Sequence, residues 1–261
     1  MPEGDTLFRT AAGLRPYLVG RAVTAARATR PGPQIERVVG STVDAVESHG
    51  KNLVIRFDNG LELRTHMRMN GSWHRYRPGE RWRRPPARAR VVLEVPGAVA
   101  VCFDAPVVEL FEQRAEPLHP SLSALGPDLL DPAWGEAETA EALRRLRHPA
   151  RADWPIAAAL LDQRAVAGIG NIWRNETLFA ERVDPWAPVR DLDDATLDRL
   201  IATARWLLTQ SAGVAPGRTS TKVYRRAGRP CPRCGTVIRS APLSGEVPRT
   251  TYWCPSCQGG S

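Results

Sequence analysis

The sequence predicts an α+β protein in which a β-rich N-terminal region precedes a helical region and a short cysteine-bearing hairpin. Short apolar-alternating runs fill most of the chain up to residue 103. Helical spacing of apolar residues becomes regular after residue 134, and two CxxC pairs lie near the end of the chain. Strands grouped together, rather than alternating with helices, favour an antiparallel sandwich. A chain of 261 residues can form two modest domains with a small appendage.

The N-terminal region begins with a predicted helix over residues 6–20, where apolar residues recur at intervals of three and four. Short β-rich runs then predict strands at residues 22–28, 42–49, 52–57, 62–67, 90–95 and 99–103. The turn Asp58-Asn59-Gly60 favours a hairpin between two of these strands. We therefore expect an antiparallel β-sandwich of about 115 residues with a leading helix.

The middle of the chain is predicted to be helical. Frequent Pro, Ser and Gly around residues 116–132 indicate a linker. Beyond it, the spacing of apolar residues and the capping signals predict helices at residues 134–146, 155–161, 171–180 and 193–210, the last with Asp191 or Asp193 as its N-cap. The expected domains are 1–117 for the sandwich, 118–215 for the helical domain and 216–261 for the cysteine hairpin.

The turn Gly168-Ile169-Gly170-Asn171 leads directly into one of the predicted helices. Glycines let a backbone approach a ligand closely, and a helix N-terminus attracts anions. With a basic hairpin downstream, we interpret this turn as a phosphate clamp to which Asn171 adds a side-chain donor. A plain helical hairpin is the alternative.

The charge of the chain indicates an acidic partner, with nucleic acid the leading candidate. The formal net charge is +8, and only Lys51 and Lys222 among the 36 basic residues are lysines. Residues 215–261 carry eight basic residues against one acidic residue, Glu246. A second basic run, residues 75–90, contains three prolines and is predicted to be an exposed loop.

No apolar run reaches the roughly 18 residues that a membrane helix requires. The N-terminus also lacks the charged-then-apolar pattern of a signal peptide. We therefore expect a soluble intracellular protein. The sequence shows no compelling oligomer interface, so a monomer is the default expectation.

Four of the five cysteines have the spacing of a metal site. Cys231 and Cys234 form one CxxC pair, Cys254 and Cys257 form another, and 19 residues separate the pairs. This spacing favours a four-thiolate zinc site closed by a hairpin over two disulfides. Such a zinc ion is structural because no coordination position remains open. The fifth, Cys102, lies in an apolar run and is predicted to be buried and inert.

The start of the chain, Met1-Pro2-Glu3-Gly4-Asp5, can supply a nucleophile. Removal of Met1 would leave Pro2 with a secondary amine, which condenses with a sugar aldehyde to give a cationic iminium, a strong electron sink. A terminal amine has an ordinary pKa of about 7.7–8.0, against about 10.4 for Lys, so more of it is unprotonated at neutral pH. Glu3 is then a proton carrier. The alternative is that Pro2 is a processing signal and Glu3 a solvated charge.

Four blocks of the sequence together resemble the formamidopyrimidine-DNA glycosylase/endonuclease VIII family, over nearly the whole chain. All four in this order are a specific signature. The blocks are Pro2-Glu3-Gly4, His49-Gly50-Lys51-Asn52-Leu53, residues 161–172 with Leu161-Asp162-Gln163 and Gly168-Ile169-Gly170-Asn171-Ile172, and residues 248–258.

The resemblance implies a β-sandwich and a helix-two-turn-helix domain with a zinc finger, clamping damaged DNA in the bacterial cytosol without a small-molecule cofactor. By position, Pro2 resembles the family's nucleophile and Glu3 its general acid/base. Lys51 resembles a residue of the catalytic centre that binds phosphate beside the lesion. Asn171 and Arg249 resemble two further phosphate-binding residues, and an Arg fork on a metal-fixed hairpin suits that role.

The substrate expected from the resemblance is an oxidised pyrimidine or an abasic site. Members acting on guanine lesions carry a basic pair and a gap-filling aromatic where this chain has residues 105–109, which lack them. The short segment between Gln210 and Tyr224 and the sequence Gly4-Asp5-Thr6 also favour the endonuclease VIII branch. Met69 matches the remaining gap-filling position, although a core methionine is an alternative there.

The function expected from the sequence is thus a bifunctional DNA glycosylase/AP lyase that acts through Pro2 and cleaves the strand by β,δ-elimination. Two alternatives stay open. A non-catalytic zinc-dependent protein that binds DNA or RNA would account for the basic tail and the metal site, although not for Pro2 and Glu3 together with Lys51. A glycosylase for oxidised guanine on the same scaffold is the other.

Overall fold

The computed structural model describes residues 2–29, 32–214, 220–243 and 249–259, which form two compact units. The first unit contains Pro2 and residues 6–124. The second begins at residue 125, and Glu3, Gly4 and Asp5 belong to it. None of the helices within these ranges combines the length and apolar character needed to cross a bilayer.

The first unit is a pair of four-stranded antiparallel sheets preceded by helix α1, Gly4–Leu18. The strands in chain order are β1 (Ala25–Ala28), β2 (Val43–His49), β3 (Asn52–Phe57), β4 (Leu61–His66), β5 (Ser72–Tyr76), β6 (Ala89–Val95), β7 (Ala98–Phe103) and β8 (Val107–Glu112). One sheet has the order β1-β6-β7-β5 and the other β2-β3-β4-β8. The predicted sandwich with its leading helix is confirmed.

Side-chain alternation on β7 separates the core of this unit from its outer surface. Ala98, Ala100 and Cys102 face the main core, which also holds the apolar face of α1. The residues between them, with Phe103, form a second apolar cluster on the opposite face of the same sheet. Cys102 is fully buried as predicted, and burial raises the pKa of its thiol well above the ordinary value.

Strands β5 and β8 were not among the predicted strands. Strand β5 runs into the arginine-rich segment that was interpreted as a loop. Strand β8 directly follows Pro106, and five of its six residues are half-buried without the alternation that marks a strand with one solvent face. Both are edge strands, which explains the weak periodicity of β8.

The second unit contains the predicted helices and the cysteine hairpin. Its helices are α2 (Glu136–Leu146), α3 (Ile156–Ala159), α4 (Asn171–Ala180), α5 (Asp194–Ala212) and α6 (Pro255–Gln258), and its hairpin strands are β9 (Arg239–Leu243) and β10 (Arg249–Trp253). Asp193 caps α5 by accepting a hydrogen bond from the Thr196 N–H at 2.7 Å. Helix α4 packs against α5, β10 and α6, so it is the central element of the unit.

Candidate active site

The loop before α4 is shaped by one side chain, that of Gln163. Its Nε2 donates to the carbonyl oxygens of Leu161 and Ile169, each at 3.0 Å. Its Oε1 accepts from the Gly168 N–H, also at 3.0 Å. The amide therefore closes the loop on itself and fixes the glycine turn at the start of α4.

Glu3 occupies the N-terminus of α4. Its Oε1 accepts from the Ile172 N–H at 2.7 Å and its Oε2 from the Trp173 N–H at 3.3 Å, and the residue is only 1% exposed. Two N–H donors and the positive end of the helix dipole stabilise the carboxylate. The side chain predicted to carry protons is thus held in one fixed place.

Glu3 can approach α4 this closely because Gly170 and Gly4 carry no side chains, which would clash with their neighbours. A Cβ on Gly170 would lie 2.1 Å from the Cδ of Glu3, and a Cβ on Gly4 would lie 2.8 Å from the Cα of Gly168. Gly168 itself has a φ of 100°, in the left-handed region. The Gly4 N–H donates to the Gly168 carbonyl at 2.9 Å, so the backbones are in direct contact.

This contact changes the predicted role of the glycine turn. The turn does precede a helix, as predicted, and its backbone does approach an anion. That anion, however, is the Glu3 carboxylate, which takes the N–H groups of Ile172 and Trp173. The N–H groups of Ile172 and Trp173 therefore bind Glu3, and phosphate binding at this turn stays a prediction that rests on Asn171.

The residues on either side of the Glu3 anchor are also defined. Asp5 is buried, and its Oδ2 accepts a hydrogen bond from the Ser211 hydroxyl on α5 at 2.5 Å. Pro2, the predicted nucleophile, is half-buried immediately before Glu3. The three residues that follow Pro2 are thus all anchored within the second unit.

Asn171, the first residue of α4, links the helix to the cysteine hairpin. Its Nδ2 donates to the Thr250 carbonyl at 3.1 Å, and its Oδ1 accepts from Arg174 at 2.5 Å. Thr250 directly follows Arg249, which is half-buried at the start of β10. The second unit therefore brings together Glu3, Asn171 and Arg249.

Arg174 was missed by sequence reasoning. Its side chain is fully buried and also donates to the Thr250 carbonyl at 3.2 Å. Burial lowers the pKa of its guanidinium to about 10, with the negative charge of Glu3 opposing that shift and Arg249 adding to it. A cation three residues after Asn171 on a helix of mostly buried residues is the signal that could have found it.

Lys51 lies in the first unit, in the tight turn between β2 and β3. The Asn52 amide supports the turn by donating to the His49 carbonyl at 3.0 Å, and Lys51 itself is half-buried. Its surroundings include Arg64 and the His66 imidazole. Burial first, and then Arg64 and Lys51, lower the pKa of His66 to about 4, so the imidazole is neutral at neutral pH. Lys51 thus supplies positive charge beside a neutral ring.

Met69 is presented by a tight loop after β4. The Gly71 N–H donates to the Met67 carbonyl at 2.9 Å, and a Cβ on Gly71 would lie 2.7 Å from the Met67 Cα. Met67 is 2% exposed, whereas Met69 is 57% exposed. The core alternative for Met69 is therefore wrong, and the exposed side chain fits the gap-filling role that the resemblance implies.

The four predicted metal ligands form one cluster. The sulfur atoms of Cys231, Cys234, Cys254 and Cys257 all lie within 4.8 Å of one another, and none of these cysteines is in a disulfide. A tetrahedral zinc with Zn–S bonds of about 2.3 Å separates its sulfurs by about 3.8 Å. The distances from the Cys234 sulfur to those of Cys254 and Cys257 are 3.5 and 3.4 Å. The donor set and its spacing thus fit zinc.

The cysteine cluster is held against the C-terminal end of α4. Arg233, inside the first CxxC pair, donates to the carbonyls of Phe179 and Ala180 at 3.0 and 3.3 Å. Its guanidinium carbon also lies 4.5 Å from the centre of the Phe179 ring. Helix α4 therefore carries the Glu3 carboxylate at one end and the cysteine hairpin at the other.

Comparison with known proteins assigns the chain to a family. Residues 1–106 match the formamidopyrimidine-DNA glycosylase N-terminal domain, and residues 125–224 match the formamidopyrimidine-DNA glycosylase H2TH domain. The chain belongs to the formamidopyrimidine-DNA glycosylase family. This membership confirms the resemblance carried by the four sequence blocks and the enzyme class that it implied.

Curated relatives in this family match over their full length. The chain is 39% identical over 268 residues to "Probable endonuclease 8 2" of Streptomyces coelicolor, covering 100% of this chain and 95% of the relative. It is also 39% identical to "DNA-(apurinic or apyrimidinic site) lyase Nei2" of Mycolicibacterium smegmatis, with both chains fully covered. Identity to "Endonuclease 8" of Escherichia coli is 32%, covering 99% of this chain and 100% of the relative.

Solved structures of the family share the fold. A complex between Lactococcus lactis Fpg and DNA containing an abasic site has a TM-score of 0.82 at 21% identity, covering 99% of this chain and 100% of that chain. A variant of the same enzyme bound to DNA containing Fapy-dG has a TM-score of 0.83 with the same identity and coverage. At this identity the likeness establishes the fold alone.

Proposed function

We propose that the protein is a bifunctional DNA glycosylase/AP lyase of base excision repair that removes oxidised pyrimidines through the amine of Pro2. The observation that carries the proposal is the anchoring of Glu3 at the N-terminus of α4, directly beside Pro2. A pure DNA-binding protein has no need to fix a carboxylate next to a terminal amine. The names of the relatives support the reaction class.

The structure favours a particular first step for Glu3. The hydrogen bonds from Ile172 and Trp173 stabilise the carboxylate, so Glu3 begins as a proton acceptor. It takes the proton of the Pro2 ammonium, which frees the nitrogen lone pair, and it then delivers that proton to the deoxyribose ring oxygen. Glu3 therefore relays the proton of the Pro2 ammonium to the ring oxygen and does not need to start with a proton of its own.

The remaining steps follow from the iminium. The Pro2 nitrogen forms a bond to C1′ as the glycosidic bond breaks, and the N–H proton still on that nitrogen passes to the departing base anion. The nitrogen lone pair then breaks the C1′–O4′ bond to give the iminium, and O4′ takes the proton from Glu3. The cationic iminium withdraws electrons and acidifies the C2′ proton. Loss of that proton expels the 3′ phosphate, and a second elimination expels the 5′ phosphate, leaving a gap.

Damaged DNA is the proposed partner, held through its phosphates. Lys51 and Arg249 supply positive charges, and Asn171 has a second amide hydrogen beyond the one given to Thr250. Zinc bound by the four cysteines would fix β9 and β10, and with them Arg249, without taking part in the chemistry. We place this activity in the bacterial cytosol, in a monomer that needs no small-molecule cofactor.

The pyrimidine preference is supported by the connection after β7. Only residues 104–106 separate β7 from β8, and Ala105 is fully buried there, so this connection offers no long side chain to a DNA gap. The exposed Met69 is then the gap-filling residue. The other predicted feature, the short segment from Gln210 to Tyr224, lies partly outside the described residues.

Borohydride trapping tests the nucleophile. With DNA containing an abasic site, the protein should give a covalent adduct through its N-terminal residue, and Pro2→Gly should reduce the yield strongly. Peptide mapping of the adduct and the mass of the free N-terminus are the measurements. Absence of an adduct with the unaltered protein, undiminished trapping by Pro2→Gly, or full activity with Met1 retained would refute the proposal.

A lesion comparison tests the substrate class. Single-turnover release of thymine glycol should exceed release of 8-oxoguanine from matched duplexes. The reverse ranking would favour the glycosylase for oxidised guanine on the same scaffold. If neither lesion is released and neither strand is cleaved while both duplexes still bind tightly, the non-catalytic binding protein would be favoured.

A further inference from the structure

The arginine-rich loop between β5 and β6 lies on the face of its sheet opposite α1. Its Trp82 packs on the outer apolar cluster, with ring centres 6.1 Å from Tyr76 and 5.7 Å from Phe103. Helix α1 packs in the main core on the other side of the same sheet. The loop therefore forms a surface on the opposite side of this sheet from α1.

The fold holds this loop in a defined shape. The Arg83 N–H donates to the Tyr76 hydroxyl at 3.0 Å, and Arg88 pairs with Asp104 at 2.7 Å. Arg84 pairs with the same aspartate and donates to the Asn70 carbonyl at 3.1 Å. Because Asn70 follows Met69, the Arg84 side chain ties the loop to the segment that carries the exposed methionine.

The loop leaves positive charge unneutralised. Arg81 and Arg83 are exposed, and their guanidinium groups have no hydrogen-bonding or ion-pair partner among the described residues. They line a cavity of about 750 Å³ together with Trp82, Arg84, Pro85, Pro86, Arg27 and Glu80. Glu80 is the only acidic residue in that lining and already accepts a hydrogen bond from the Arg77 N–H.

The chemistry of this surface favours phosphate over an acidic protein. Its cations are all arginines, whose planar forks suit phosphate oxygens. Its one large apolar group, Trp82, is turned onto the sheet, with Arg27 5.6 Å from its ring centre. The surface thus lacks the apolar anchor that protein interfaces use, whereas phosphate backbone binding needs only fixed positive charges.

We propose that the loop of residues 77–88 is a second nucleic-acid surface, on which Arg81 and Arg83 bind backbone phosphates outside the lesion contact. The proposal rests on the proposed function only in taking DNA as the polyanion. It requires no reaction at Pro2, so the binding and trapping experiments can fail independently. The surface adds affinity for undamaged flanking DNA without reading its sequence.

The test measures binding of a 30-base-pair undamaged duplex as a function of salt. The double variant Arg81→Ala/Arg83→Ala should lower the salt slope by about two and the affinity about tenfold near 0.1 M salt. Its single-turnover rate on a short abasic duplex at saturating enzyme should stay unchanged, which shows that the fold is intact. Arg37→Ala/Arg114→Ala removes the same charge from exposed positions elsewhere in this unit and should leave the slope unchanged.

Three results would overturn the proposal. An unaltered salt slope of duplex binding for Arg81→Ala/Arg83→Ala would show that these arginines do not contact phosphate. An equal change in Arg37→Ala/Arg114→Ala would show that net charge alone is responsible. Weaker binding of a fluorescent polyglutamate peptide with unaltered duplex binding would assign the loop to an acidic protein partner.

Discussion

The two ends of helix α4 carry side chains of opposite charge. At the N-terminus, the free N–H groups donate to the Glu3 carboxylate. At the C-terminus, the last carbonyls accept from the Arg233 guanidinium. Both pairings follow the direction of the helix dipole, which favours an anion at the first end and a cation at the second.

The side chains at the two ends of α4 differ in how deeply they are buried. Glu3 is buried, and it packs so closely on Gly170 that a Cβ there would lie 2.1 Å from its Cδ. Arg233 is exposed and lies between two of the four clustered cysteines, Cys231 and Cys234. Under the proposed function, the N-terminal end would set the geometry of the reaction, whereas the C-terminal end would stabilise a DNA-binding element.

The largest effect on activity should come from adding a side chain at Gly170, where the N-terminus of α4 meets Glu3. Gly170→Ala places a Cβ 2.1 Å from the Glu3 Cδ, so the carboxylate must move. We expect the single-turnover rate of base removal to fall at least about a hundredfold, the range of a lost acid–base group, with DNA affinity little changed. Gly13→Ala in α1, where nothing lies within 4 Å, is the control and should keep full activity. A rate near that of the unaltered protein would mean that the position of Glu3 does not limit the chemistry.

Metal removal should act on the other end of α4. Chelation or Cys234→Ser should release zinc and unfold the hairpin, because binding of a structural metal is coupled to folding. Duplex affinity should fall about tenfold or more through the loss of the ordered Arg249. Metal analysis of the purified protein should give one zinc per chain. Unchanged affinity after verified metal loss would separate the hairpin from DNA binding.

Arg249→Ala should show a smaller, purely electrostatic effect. Loss of one phosphate contact should weaken binding to damaged and undamaged duplex alike and lower the salt slope by about one. Titrations at several salt concentrations measure this. A change confined to base preference would assign Arg249 to lesion recognition instead.

The smallest effect is expected from Arg233→Ala. Loss of its hydrogen bonds to the Phe179 and Ala180 carbonyls should lower stability by about 1 kcal/mol while the metal stays bound. Thermal unfolding measures the change, and Arg229→Ala, an exposed neighbour whose side chain has no hydrogen-bonding partner among the described residues, is the matched control. Equal destabilisation by both variants would argue against a specific role for the α4 contact.

Local patterns predicted much of this architecture. The hairpin at Asn59 and Gly60, the cysteine cluster and the start of α4 at Asn171 depend on residues close together in sequence or on fixed spacing. Strands β5 and β8 were missed because edge strands carry weak periodicity, and an arginine-rich or proline-led run resembles a loop.

The site was less predictable, because its decisive contacts join distant parts of the chain. The Glu3 carboxylate accepts hydrogen bonds from N–H groups about 170 positions later in the chain, and no pattern near residue 3 predicts which residues these are. The glycine turn was correctly placed before a helix, but for this reason Glu3 was not predicted as the acceptor of the N–H groups that follow it. Arg174 was overlooked because buried arginines are rare, so helical spacing gives them no weight.

The anchoring of residues 3–5 bears on how the protein should be produced. Anything fused ahead of Pro2 would convert its amine into an amide, which cannot attack a sugar carbon. If the Pro2 amine reacts as proposed, a purification handle at this end must be cut away directly before Pro2. A preparation that keeps the handle should then bind DNA yet give a misleading negative in a lyase assay.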